Sequence, residues 1–310
     1  MEDQIIGSGA SQHIDSFNSD SFISGTKLSN STLEQINYIK GKPTNYVFLF
    51  GKSKAGKTAI ASSLIYHLHN DFKGTLRIMR SDNNVEGESL ARRIKSLIET
   101  GRFPDRTSLG TVTHIDMQYK PHDPIKKAIN VSLLEMSGED LSEVVVDKSG
   151  KLTESIEVFF KAGNISMIFV LVTSADEALE DTNTLIQFLD YLFGKDEKFY
   201  HSRIILLISQ WDKYFGATNE TVIEFVERKL RSVYAKIYRP HATNAIAKYS
   251  IGEVEPDVDG RPYIKKFDHE SPEILWAWLY ETITGSPLVD PPKEVKQTGF
   301  GKFRNWFFGK

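Results

Sequence analysis

Gly51, Gly56, Lys57 and Thr58 stand at the spacing G-x-x-x-x-G-K-[ST] inside the stretch YVFLFGKSKAGKTAI, residues 46–60. A phosphate chain is held by backbone N–H groups that converge on it and by the unpaired amides that open a helix. The two glycines let the backbone curl, so that the amides across Lys52, Ser53, Lys54 and Ala55 turn inward, and Ala59 lies in the first turn beyond. Lys57 is placed to neutralise β- and γ-phosphate charge, and the Thr58 hydroxyl to ligate Mg²⁺. The flanks suit this chemistry. Tyr46–Phe50 is a short apolar run fit for a buried parallel strand, and Ile60, Leu64 and Leu68 recur at helical spacing.

Three further segments carry groups that a bound nucleotide needs. In LLEMSGED, Glu135 ends an apolar run and can hold Mg²⁺ through a water, Gly138 lets its amide approach a γ-phosphate, and Glu139 can orient or deprotonate the attacking water. A solvated acidic turn is the plainer alternative. In LLISQWDKYF, Asp212 and Gln210 stand at the aspartate and lysine places of the [NT]-K-x-D motif of P-loop GTPases, which this segment resembles. The resemblance implies an Asp212 carboxylate that accepts from N1–H and the 2-amino group of guanine, donors that adenine lacks, with Gln210 beside the base; alternatively Asp212 caps the following loop. In YSIG, Ser250 and its backbone are placed to meet the base edge. The loop GRFPDRTSLGT offers Thr107 to complete the Mg²⁺ shell, with Thr111 as its rival and an ordinary loop as a third reading, and Arg102 or Arg106 as a cis arginine. The eight histidines show no metal-ligand spacing.

These residues need a scaffold that gathers loops at one end of a sheet. From Asn45 to about Gly285 strands and helices alternate, the signature of an α/β fold. The segment GTLRIM reads as a strand, and Leu90, Ile94, Leu97 and Ile98 mark a helix over residues 86–100 stopped by Gly101. TVTHIDMQY alternates, with Thr113, Ile115, Met117 and Tyr119 on one side. With AINVSLLEM it forms an antiparallel hairpin expected at a sheet edge. ISMIFVLV and RIILLI read as parallel strands covered on both faces, and NAIAKYSI as the last strand. Helical stripes fall at Leu185/Ile186/Leu189/Leu192 and Val222/Phe225/Val226/Val233. Ser271 and Pro272 are expected to open a final helix.

Outside that span the composition changes. Residues 1–44 form an N-terminal arm, Ser/Asn/Asp/Gly-rich to about residue 30, with a short helix expected at Ser31–Lys40 capped by Ser31 and Glu34. Residues 286–310 form a tail in which Phe300, Phe303, Trp306 and Phe307 share a helical face beside Lys296, Lys302, Arg304 and Lys310. Such a tail suits a protein groove, an anionic membrane surface, or its own domain. With 310 residues, 40% of them hydrophobic, the chain can bury a large core. A net charge of −3 argues against bulk nucleic-acid binding, and the absence of cysteine excludes disulfides and thiolate metal sites. The N-terminus lacks the form of a signal peptide and no run reaches membrane-spanning length, so a cytoplasmic protein is expected.

In the order P-loop, switch threonine, E-x-x-G-E and Q-x-D, the chain resembles the Ras-like, TRAFAC-class P-loop GTPases. Its G-x-x-P-x-x-T and G-E segments look most like bacterial double-GTPase and related GTPase-domain proteins. The resemblance implies a three-layer α/β sheet over residues 45–285, mostly parallel with one antiparallel edge strand. It also implies GTP and Mg²⁺ as ligands and slow hydrolysis used as a switch. Glu135 stands where that family has aspartate, and Ser209 and Gln210 depart from its [NT]-K-x-D motif. The alternatives are a nucleotide-dependent interaction module with little hydrolysis, and an ATP-using P-loop NTPase.

Overall fold

The computed structural model describes residues 29–70, 73–79, 85–103, 112–136, 154–195, 202–215, 219–238 and 243–289. The first strand, β1 (Asn45–Phe50), has all but its first residue buried, since apolar side chains point to both faces and each face is covered by helices. Around it the sheet runs in the order β2-β3-β4-β1-β5-β6-β7. The strands are β2 (Gly74–Ile78), β3 (Val112–Pro121), β4 (Ile129–Met136), β5 (Ser166–Ser174), β6 (Arg203–Ser209) and β7 (Asn244–Lys248). β4, β1, β5, β6 and β7 are mutually parallel, whereas β3 is antiparallel to both neighbours. The expected hairpin is therefore β3–β4. Its outer flank is covered, because β2 pairs along β3 from Gly74↔Pro121 to Ile78↔Met117 and takes the edge position.

On one face of the sheet, Val47 and Leu49 pack with α2 (Lys57–Asn70), α3 (Val85–Glu99) and the last helix, residues 270–284. On the other, Tyr46, Phe48 and Phe50 pack with α1 (Asn30–Gly41), α4 (Glu154–Lys161), α5 (Ala178–Lys195), α6 (Trp211–Phe215), α7 (Val222–Lys229) and α8 (Arg231–Ile237). The second face is rich in rings. Phe50 and Phe188 lie 4.0 Å apart between centroids, and Phe48 meets Phe169 at 5.5 Å. Such ring pairs contribute beyond their area burial.

Several expected boundaries move. Ser29, not Ser31, caps α1: its hydroxyl oxygen accepts from Thr32 N at 3.2 Å. The stripe through Val222 and Val233 is two helices, because Leu230 breaks the backbone between them. The final helix, α9 (Glu270–Thr284), starts one residue before Ser271, since Asp268 reaches in to accept from Glu270 N. After β7 comes an antiparallel hairpin that the hydrophobic pattern does not announce, β8 (Gly252–Pro256) with β9 (Pro262–Phe267). Only Ile264 of these two strands is buried, so their alternation carries almost no apolar signal. Among the described residues no helix is long and apolar enough to cross a membrane.

Candidate nucleotide site

Parallel pairing brings the C-terminal ends of β1, β4, β5, β6 and β7 to one end of the sheet, where ligands bind in open α/β folds. The residues 51–56 leave β1 there and turn into α2. Gly51 is required by space: a Cβ at this position would lie 2.3 Å from the Val172 carbonyl oxygen of β5. Gly56 is required by conformation, with φ at +90°. Between them Lys54 takes φ +68°, which bends the backbone tightly without a glycine.

Lys57 is the first residue of α2 and is 6% exposed. Its ammonium donates to the carbonyls of Gly51 at 2.7 Å and Lys52 at 2.9 Å, so the cation lies inside the curl of the loop. Lys52 points elsewhere. Its ammonium donates to the Glu180 carbonyl at 2.8 Å and pairs with Asp181 at 3.1 Å, at the start of α5. Asp181 is buried and its other oxygen accepts from Thr173 at 2.6 Å. The side chain of Lys52 is thus a tie between the loop and α5, and what it offers a phosphate is its backbone amide. Ser53 and Ala59 are half-buried and Lys54 exposed, while Ala55 is fully covered.

The loop after β6 clasps the phosphate loop through both departing residues of the SQWD segment. Ser209 Oγ donates to the Ala55 carbonyl at 2.7 Å, and Gln210 Nε2 to the Lys54 carbonyl at 3.3 Å. Gln210 has φ +55°; it and Lys54 are the two non-glycine residues with positive φ among the described residues, and they meet each other. Asp212 follows on α6, exposed and with no hydrogen bond to the described residues. Lys213 donates to Gln210 Oε1 at 2.8 Å.

The loop after β7 is fastened from below. Tyr249 accepts from Trp211 N through its carbonyl and shares a hydrogen bond of 2.6 Å with Ser63 of α2. Burial, with the charge of Asp268 adding, pushes the Tyr249 phenol far above its usual range against the opposing Ser63 hydrogen bond, so it serves as a neutral bridge. Ser250 N donates to Ser271 Oγ at 3.1 Å and Ser250 Oγ accepts from Gly252 N at 3.0 Å.

For Mg²⁺ the fit is partial on the visible donors. Thr58 is half-buried at the start of α2, and β1–β4 pairing sets the Glu135 backbone opposite Leu49, two residues before Gly51. That pairing brings a hydroxyl donor and the strand bearing a carboxylate to the same end. The Glu135 side chain, Thr107, Thr111, Arg106, Gly138 and Glu139 lie outside the described residues, and within those residues no group of three or more acidic or histidine side chains forms a metal cluster. Arg102 is exposed and its backbone bridges to Tyr263 of β9. Asp181, Thr173, Tyr249, Ser63 and Lys213 carry no motif of their own; their partners are 128 and 186 residues away for Lys52–Glu180 and Ser63–Tyr249.

Residues 48–185 match the family described as Double-GTPase 1. Comparison with curated proteins gives no match. The matched segment runs from β1 through the phosphate loop to the Lys52–Asp181 tie, and the family suggests GTP binding by a hydrolase-type domain. A glycine curl around a buried lysine, clasped by the loop after β6 in a mostly parallel three-layer sheet, agrees with that match, which supports a double-GTPase-type P-loop GTPase domain over residues 48–185.

Proposed function

We propose that the chain binds GTP with Mg²⁺ and hydrolyses it slowly, alternating between two nucleotide states as a switch. The observation that supports this is the clasp of Ser209 and Gln210, in the segment that carries Asp212, on the Ala55 and Lys54 carbonyls of the glycine turn. The amides of Gly51, Lys52, Ser53, Lys54, Ala55, Gly56 and Ala59 hold the phosphates, and Lys57 turns from the loop carbonyls to their charge. Thr58, Thr107 and Glu135 are the Mg²⁺ ligands, direct or through water. Held there, Mg²⁺ would supply positive charge to the terminal phosphates. Gly138 gives its amide to the γ-phosphate, Glu139 positions the attacking water, and Gln210, Asp212 and Ser250 surround the base.

Identification of the nucleotide released from denatured protein tests the choice of guanine against adenine. Lys57→Ala should weaken triphosphate binding at least about tenfold while leaving nucleoside binding nearly unchanged, since what is lost is a charge-assisted phosphate contact. Equal triphosphate affinity in both proteins would remove the phosphate assignment. Release of inorganic phosphate with Mg²⁺ separates a hydrolase from a binding module that does not turn over.

In this proposal the arm and tail flank the domain of residues 45–285, preceded by the packed helix α1, and the molecule works in the cytoplasm with a protein partner and no nucleic acid. Residues 296–310, outside the described residues, are the proposed docking segment for that partner or for an anionic membrane surface. Their deletion should abolish partner recovery or sedimentation with anionic vesicles and leave GTP affinity as it was; unchanged recovery and sedimentation would return the tail to a structural role.

A further inference from the structure

Building on the guanine-nucleotide assignment, we propose that Lys213 is a specificity-determining residue of the base site, supplying the hydrogen-bond donor for the O6 carbonyl of guanine. A guanine edge presents one acceptor, O6, followed by two donors, N1–H and the 2-amino group. Adenine presents a donor at position 6 and an acceptor at N1, the reverse order. A protein that reads guanine by this edge needs a donor beside an acceptor. Asp212 is the acceptor, exposed and with no hydrogen bond to the described residues.

The neighbouring groups that could donate are mostly engaged. The Ser250 amide donates to Ser271 Oγ at 3.1 Å, and the Gln210 amide nitrogen donates to Lys54 O at 3.3 Å. Lys213 differs. It follows Asp212 directly in the chain, its ammonium touches Gln210 Oε1 at 2.8 Å, and an ammonium has three donors of which this contact uses one. Through Gln210 it stands two hydrogen bonds from the backbone of the phosphate loop, so its charge is delivered to the seam between the two loops. The left-handed backbone of Gln210, φ +55°, belongs to the same arrangement: it turns the amide so that one end meets Lys54 and the other meets Lys213. A cation three residues along the chain thereby serves a position where the chain itself has a neutral amide.

The test is a binding matrix of GTP, ITP and ATP against the full-length protein and its Lys213→Ala and Asp212→Ala variants. ITP keeps O6 and N1–H but lacks the 2-amino group. With Lys213→Ala, GTP and ITP should both weaken by about tenfold, the loss of one charge-assisted hydrogen bond, with their ratio unchanged and ATP little affected. With Asp212→Ala the GTP/ITP ratio should collapse towards one. Gln210→Lys in the Lys213→Ala background should recover most of the lost GTP affinity by restoring a cation at the seam. If Lys213→Ala leaves GTP and ITP affinity unchanged while Asp212→Ala still compresses their ratio, the role of Lys213 is overturned and the guanine assignment stands. If neither variant alters binding but Lys57→Ala does, the base lies elsewhere, and if the wild type prefers ATP the guanine assignment itself fails.

Discussion

At the scale of the residue, the two glycines of the phosphate loop answer to different constraints and should fail differently. Gly51→Ala would drive a methyl into the Val172 carbonyl at 2.3 Å, a backbone atom in a central strand that cannot step aside. Gly56→Ala meets nothing closer than Ser209 Oγ at 3.5 Å, so its cost is that of holding alanine at φ +90°. The first change should destabilise the protein by about 1–3 kcal/mol, the range for overpacking, and the second by about 1 kcal/mol. Melting curves of the two variants measure this, and equal shifts would show that β5 yields to the added methyl. The glycine spacing was legible in the letters because it is a local pattern. That Val172 is the reason for one of them was not, because β5 lies over a hundred residues away.

At the scale of the element, Lys52 fastens the phosphate loop to α5. Asp181 is 2% exposed, and the Thr173 hydroxyl donates to one of its two oxygens. Removing the cation should therefore cost more than neutralising the carboxylate, since a buried charge loses its partner in the first case only. Lys52→Ala is expected to lower stability by about 2–4 kcal/mol and Asp181→Asn by about 1 kcal/mol. The double variant should be more stable than Lys52→Ala alone, which requires a coupling of about 2 kcal/mol, larger than the cost of Asp181→Asn. Denaturant unfolding of the three variants checks the order; strict additivity would mean that the pair contributes nothing as a pair. The same interaction gives the Lys52 side chain a structural partner. A lysine inside a phosphate-binding motif looks like a phosphate ligand, yet the start of α5 offers its ammonium a carbonyl and a carboxylate at contact distance.

At the scale of the whole molecule, α1 is joined to the sheet by a polar cluster at the end remote from the phosphate loop. Lys42 Nζ donates to Asp116 Oδ2 at 2.5 Å, Ser132 Oγ donates to Asp116 Oδ1 at 2.5 Å, and Ile36 and Ile39 enter the core alongside. Burial acts to raise the Asp116 carboxyl, but the hydrogen bonds from Lys42 and Ser132 and the charges of Lys42 and His114 outweigh it and hold the group below its ordinary 3.8. His114 is held below its ordinary 6.5, by burial first and Lys42 second, against the pull of Asp116. Both depressed values have the same sign. The stability they contribute is complete above the ordinary value of each group and is lost as pH falls through its folded value. Asp116→Asn should therefore be less stable than wild type at neutral pH, by about 1–3 kcal/mol, and the difference should shrink as the medium is acidified below 3.8. Melting temperatures across an acid series measure it; a gap that widens on acidification would reverse the assignment.

Sequence alone determined the phosphate loop, the alternation of strands and helices, the antiparallel partner of β4 and the Gly101 and Gly285 stops, each a signal carried by neighbours in the chain: glycine spacing, apolar period, and a left-handed terminus with φ +73° at both glycines. Tertiary structure alone decided that β2 closes the edge, that β8 and β9 pair, that Lys52 serves α5, and that Ser209 and Gln210 clasp the phosphate loop while Lys213 joins them. The physical reason is the same in each case. Exposed polar strands and side-chain hydrogen bonds are chosen by whichever atoms the packed sheet brings within about 3 Å, and a pattern read along the chain holds no record of which distant atoms those are.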